Sequence, residues 1–333
     1  MIRSKRTLSD RVAREVDPLE RRLTNQLLSC EPLEQVELQP IPSSAPSAGS
    51  RPSTLVRSPA GVRYFFKAAT DEHVAAEMFA CEVRKLGRRA VVPTAARELQ
   101  LPGVGTVRGM LQPWVEHTGQ RLPADPRAWT PVQREVMLRE HPWEWLLANL
   151  DTHVDQYVLV GDAVVPLNVD WDHSLSDLHV TELDRFTSRS LLVAPLRNAL
   201  YDAHVAGRLE LEFGGLRREV RRIARLSDYE LSTAFERWAR RSGVSPEVYA
   251  LSRARFFQRK KRIARTFGRF LRSLRRERRL RSDPSQAMPL GEALYVMMAQ
   301  TWQRLVIDTL HDRAVVPFLR VYRRGLHLWH TLG

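Results

Sequence analysis

"LLANLDTHVDQYVLVGDAVVPLNVDWDHSL", residues 146–175, carries two acidic clusters on either side of a short hairpin. Asp151, His153 and Asp155 form the first, and Asp170, Asp172 and His173 form the second. Between them the runs YVLV and VVPLNV are β-type, and Gly161-Asp162 supplies a turn. A hairpin of that length returns Asp170 to the loop that carries Asp151, so one edge of a cleft receives a base and a metal-binding carboxylate. Taken alone, Asp151-x-His153 reads more readily as a hydrogen-bonded turn or a helix C-terminus. What surrounds the stretch must decide.

Upstream, apolar residues at Leu8, Val12, Val16, Leu19, Leu23 and Leu27 follow the helical period despite Pro18, and a Pro/Ser-rich stretch over 29–53 reads as a loop. STLVRS and GVRYFFKA, joined by Ser58-Pro59-Ala60-Gly61, predict a hairpin. Residues 71–87 predict a helix stopped by Gly87; strand-like ELQLPGVGTVRGMLQPWVE and a helix near 131–148 then lead to the opening hairpin. Beyond it the character is helical, with Ser227-x-x-Glu230 as a capping box. Strands, helix, strands and then many helices predict an α+β fold of two lobes. The expected divisions are an N-terminal helix and linker (1–44), a small β-rich N-lobe (45–116), a larger mostly helical C-lobe (117–250) and a basic helix with a helical extension (251–333).

Composition narrows the function classes. At 43% hydrophobic and 27% charged residues, 333 residues suffice for a substantial core. Two cysteines, Cys30 and Cys81, provide neither a disulfide framework nor C-x-x-C metal spacing. The N-terminus has no apolar signal core, and ALYVMMAQTWQRLVIDTL is broken by polar residues too early to span a membrane. A cytoplasmic location is expected, with peripheral membrane attachment left open. The net charge of +14 is concentrated in 253–282, where fourteen Lys/Arg face the single acid Glu277. Phe256, Ile263, Phe267, Phe270/Leu271 and Leu274 run through that segment at near-helical spacing. Such a helix suits an anionic membrane surface, an acidic partner or nucleic-acid phosphates, or it packs its apolar stripe on the domain while the cations stay solvated. Leu294, Met298, Trp302, Leu305 and Leu310 predict another packed or partner-binding helix, and Trp302 and Trp329 read as core or interface anchors.

Phosphoryl transfer from ATP needs a loop over the phosphates, a lysine tied to a helix glutamate, an aspartate at the attacking hydroxyl, and metal ligands on the triphosphate. The chain offers these in order. SAGSRPSTLV (47–56), with Ser50 and Ser53, is a glycine-poor phosphate loop; Lys67 ends YFFK; Glu77, or Glu82 one or two turns away, lies on the next helix. Magnesium prefers carboxylate oxygens plus substrate phosphates, so one or two protein ligands suffice. An EF-hand reading fails for want of the glycine and the glutamate its loop requires.

Asn149-x-Asp151-x-His153, followed by the hydrophobic-D-x-D of NVDWD at 168–172, resembles the catalytic and metal motifs of HipA-like and phosphatidylinositol 3-/4-kinase-like proteins. It is more distantly similar to aminoglycoside phosphotransferases. YFFK, the helix AAEMFACEVRKLG and the strand GVGTVRGMLQPWVE extend the resemblance over residues 45–240. It implies a protein-kinase-like fold that uses ATP and Mg. Lys67 would contact the α/β-phosphates and pair with Glu77. Asp151, beside His153, would be the catalytic aspartate, and Asp170 the metal ligand. Gln112, Trp114 and Val115 would form the hinge that accepts adenine through backbone groups. One departure stands out: the family's metal-binding asparagine is Gln156 here, longer by one methylene. Two readings therefore compete with an active kinase, namely a pseudokinase scaffold and an anionic-surface or nucleic-acid binder working through 253–282. The acceptor, whether protein, lipid or small molecule, is not inscribed in the sequence.

Overall fold

Tyr64 and Phe66 alternate with Phe65 and Lys67 along one strand, and that period of two organises the larger sheet. The structure is a computed structural model describing residues 16–23, 25, 33, 36–40, 52–101, 105–149, 152–176, 178, 183 and 195–282. Strands β1 (Gln39–Pro40), β2 (Ser53–Arg57), β3 (Arg63–Ala68), β4 (Ala95–Leu101) and β5 (Gly105–Pro113) form an antiparallel sheet in the order β1-β2-β3-β5-β4. Tyr64 and Phe66 enter a core with Val56, Ala95 and Leu111 on one face. Lys67 therefore belongs to the other face, opposite Met110, and Phe65 sits opposite Gln112. Gly109 permits this pairing, because a Cβ there would lie 2.2 Å from the Lys67 carbonyl oxygen.

Helix α1 (Asp71–Leu86) follows β3. Thr70 caps it by accepting from the His73 amide, Asp71 and Glu72 suit its positive end, and Gly87 ends it. No side chain fits at Gly87, where a Cβ would stand 2.0 Å from the Trp143 ring. Helix α2 (Pro131–Leu147) starts at a full capping box between Thr130 and Gln133 and ends at Ala148 in the left-handed region, φ 53°. A short 3-10 turn, Val154–Gln156, then leads into β6 (Tyr157–Val160) and β7 (Val165–Asn168), the hairpin expected there. Helices α3 (Pro195–Val205), α4 (Gly214–Ala224), α5 (Asp228–Ser242) and α6 (Pro246–Ser282) complete the described part. The fold is thus α+β, a small antiparallel sheet with a mostly helical remainder.

The chain divides into two compact units, residues 1–276 and 277–333. Within the first, Phe256, Ile263, Phe267, Phe270, Leu271 and Leu274 of α6 are buried in the main core with Phe79 of α1 and Phe235 of α5. The Phe79 ring lies 4.7 Å from Phe235 and 5.5 Å from Phe256. This corrects the membrane-surface reading of 253–282, since the apolar stripe which that reading needs is already packed against the domain. Arg259 is drawn in as well, 4.3 Å from the Trp145 ring and donating to the Trp145 carbonyl. Among the described residues, no helix is long and apolar enough to cross a membrane. The expected helix containing Leu294, Met298, Leu305 and Leu310, with Trp302 and Trp329, lies outside the described residues.

A buried ionic network pins the end of α1 to α2. Glu140 accepts from Arg84 at 2.6 Å and from Arg89 at 2.5 Å, and Arg89 also reaches Glu20 of the helical segment 16–23 at 2.8 Å. Burial alone would raise the Glu140 carboxyl, but the two guanidinium groups outweigh it and hold it at about 2. The contribution of Glu140 to stability is therefore present above its ordinary 4.5 and is lost as pH falls towards about 2. Replacing it leaves two buried cations undercompensated, so Glu140→Gln is expected to cost about 3–5 kcal/mol in urea denaturation at neutral pH. That deficit should shrink as the pH is lowered, and a constant deficit across the acid range would contradict the assignment.

Candidate active site

The β6–β7 hairpin delivers the second acidic cluster to the sheet. Tyr157 pairs with Asn168, and the Gln156 carbonyl accepts from the Val169 amide at 2.9 Å, so the residue before Asp170 is fixed beside the 154–156 turn. Asn168 turns the chain locally, because its Oδ1 accepts from the Asp170 amide at 2.9 Å. Asp170 and Asp172 then meet one cation: Lys67 Nζ donates to Asp170 Oδ2 at 2.9 Å and to Asp172 Oδ2 at 3.0 Å. Between them, the buried Trp171 lies under the Arg84 guanidinium, 4.3 Å from the ring centre, and its amide donates to Glu77 Oε2. Glu77 Oε1 accepts from Gln112 Nε2 at 3.2 Å, and that amide group also donates to Thr94 at 3.0 Å.

Glu77 was expected on the Lys67 amine; instead it holds the backbone of the aspartate turn. The correction has a simple cause, since Asp170 and Asp172 take two of the donors on the ammonium while the Trp171 amide needs an acceptor in a dry environment. Glu77 is only 1% exposed, contrary to the usual solvent-facing glutamate in mid-helix. Burial and the nearby Asp170 and Asp172 push its carboxyl well above the ordinary range. Burial and Asp172 likewise raise Asp170. Burial opposes the Lys67 ammonium, yet the two aspartates outweigh it, so Lys67 stays charged.

The other expected residues are placed as follows. Asp151 and Ser50 lie outside the described residues. Ser53 is buried at the start of β2, in register with Lys67. His153 is exposed at the start of the 154–156 turn, its Nδ1 3.7 Å from Asp155 Oδ2. Gln156 is buried beside the aspartate turn. In the expected hinge, the side chain of Gln112 is turned inward to Glu77 and Thr94, and the Trp114 amide is committed to the Arg63 carbonyl at 3.0 Å. Val115, just past the end of β5, is buried.

Sequence reasoning gave Asp172 only a supporting part, yet it shares Lys67 equally with Asp170. The signal was available in D-x-D, which in extended chain puts both carboxylates on one face. Thr94 and Arg84 were missed because their roles depend on contacts between distant segments, whereas Asn168 acts locally on the Asp170 amide.

The site tolerates a hard cation. Asp170 Oδ1 is buried and has no hydrogen-bond partner among the described residues, whereas Oδ2 is taken by Lys67. Carboxylate and amide oxygens are the donors that magnesium accepts. Among the described residues no group of three or more His, Cys, Asp or Glu is gathered for a metal, and magnesium bound through one or two carboxylates plus phosphates requires none.

No family model and no curated protein matches the chain. Among solved structures, it is similar to the Helicobacter pylori proinflammatory kinase CtkA, at 10% identity and TM-score 0.44, over 74% of this chain and 97% of that one. It is also similar to a chain of the Shewanella oneidensis MR-1 toxin–antitoxin complex of HipA, HipB and operator DNA, at 13% identity and TM-score 0.34, over 75% of this chain and 76% of that one.

The raised Glu77 carboxyl gives a signed prediction. A folded-state pKa above the unfolded one means that the wild-type chain loses relative stability as pH rises from 4.5 through the folded value. Glu77→Gln should therefore gain stability relative to wild type across a urea series taken upward from about pH 4.5. Parallel stability curves for the two chains would refute the shift.

Proposed function

We propose that the chain is an ATP- and magnesium-dependent phosphotransferase of kinase-like type, acting on a hydroxyl acceptor. The observation that carries this reading is the Lys67 ammonium, presented from the sheet, meeting both carboxylates of a D-x-D turn at the end of the β6–β7 hairpin. Phosphoryl transfer is accelerated mainly by positioning and by charge aimed at the phosphate oxygens, and this junction is suited to supply both.

In this reading Lys67 exchanges one aspartate for an oxygen of the α- or β-phosphate and remains charged. Asp170 and Gln156 are the residues that would hold magnesium, with Asp170 Oδ1 as the open donor. Bound there, magnesium would neutralise charge on the β- and γ-phosphates. Glu77 keeps the Trp171 backbone in place, so the carboxylates on either side of it are aimed without reorganisation. Asp151 would orient or deprotonate the acceptor hydroxyl, and the backbone at Val115 would read the adenine.

Gln156 favours a second reading, a pseudokinase scaffold that retains the arrangement without transfer. Incubation with ATP and magnesium, followed by intact-mass analysis and phosphate-release assay, separates the two. Asp170→Ala is expected to remove magnesium-dependent ATP binding, and Asp151→Ala to keep binding while lowering turnover by about 100-fold or more. Turnover unchanged in both variants sinks the enzyme reading, and no turnover in the wild-type chain with binding intact supports the scaffold.

A further inference from the structure

A cavity of about 740 Å³ lies apart from the Lys67–Asp170 site, lined by Arg88, Arg218, Arg221, Arg222 and Arg225 together with Leu86. Four of these arginines come from α4 and its C-cap, at i, i+3, i+4 and i+7, and so share one helix face. The fifth is presented by the turn that ends α1. Arg88 adopts φ 54°, the left-handed region, and follows Gly87, whose backbone packs too closely on Trp143 to admit a side chain. That turn is therefore fixed, and with it the direction from which Arg88 faces α4.

Among the described residues the charge there is only partly neutralised. Arg218 reaches Glu135 at 3.4 Å and Arg222 reaches Glu219 at 3.3 Å. Arg88, Arg221 and Arg225 make no ion pair with the described residues, although Arg221 donates weakly to the Arg217 carbonyl at 3.4 Å. The C-termini of α1 and α4 also meet here, each contributing roughly half a negative charge, which is less than three guanidinium groups supply. Like charges at i, i+4 are unfavourable on a helix, and this face holds two such pairs, Arg218/Arg222 and Arg221/Arg225. A bound polyanion would relieve both.

The geometry points to a binding site for a small soluble ligand carrying two or more phosphate groups. Guanidinium forks match phosphate oxygens two at a time, and the cavity volume falls in the range of small-molecule sites. Nucleic acid or a membrane surface would instead call for cations spread along a stripe, whereas these five converge on one cavity. The site is independent of the phosphotransfer reading and shares no residue with it.

The test is calorimetric titration of the full chain with sodium tripolyphosphate in low salt and EDTA. One-site binding is expected in the wild-type chain and, unchanged, in Lys67→Met. Arg221→Ser/Arg225→Ser should weaken it by at least about tenfold, since each lost charge-assisted hydrogen bond counts. Arg88→Asn should weaken it too, with the fold kept because asparagine tolerates the left-handed backbone. Loss in Lys67→Met with retention in the arginine variants would assign the anion to the other site and overturn the inference. Absence of binding to the wild-type chain, or binding only of RNA or anionic vesicles, would overturn it equally.

Discussion

A single ammonium group joins two segments 103 residues apart, because Lys67 on the sheet is shared by Asp170 and Asp172 after the second hairpin. The junction is under-neutralised, since Glu77 stands close enough for both aspartates to raise its carboxyl. Three carboxyl groups around one ammonium have two physical resolutions: one carboxyl keeps a proton, or a cation enters. Burial and the two aspartates push the Glu77 carboxyl in the first direction. The second is the chemistry that a magnesium-bound triphosphate would bring, and Asp170 already has an oxygen left over for it.

The scaffold that holds this junction is unusually ionic for an interior. Arg84 both pairs with Glu140 and covers the Trp171 ring, so the α1–α2 network and the aspartate turn share one guanidinium. Pairs of this kind add little net stability relative to apolar packing, yet breaking one leaves a buried charge, which makes the arrangement hard to distort. The aromatic stripe of α6 packs on the same helix α1 through Phe79. The position of Glu77 is thus set by contacts at both ends and along the face of its helix.

Much of the fold was legible because local signals agreed with one another. STLVRS and GVRYFFKA pair as the turn residues implied, Gly87 ends α1, and YVLV returns through Gly161-Asp162 to place Asp170 beside Gln156. Among the described residues, the meeting of the Lys67 strand with the aspartate turn was legible in the order of the motifs. Partner choice was not, because nothing local tells a buried Glu77 from a solvated one, or directs Lys67 to Asp172 rather than to Glu77. The apolar stripe of 253–282 was read correctly as a stripe, but periodicity does not say whether the domain or a membrane covers it; the packing of Phe256 and Phe267 does.

The central claim is that this cluster of one ammonium and three carboxyls is a cation-dependent triphosphate site. It is tested most directly by calorimetric titration of the wild-type chain with a non-hydrolysable ATP analogue, once with magnesium and once with EDTA. The account predicts binding with magnesium at least about tenfold tighter than in EDTA, with that difference abolished in Asp170→Ala. Equal affinity in both conditions, or a magnesium effect that survives Asp170→Ala, would contradict it.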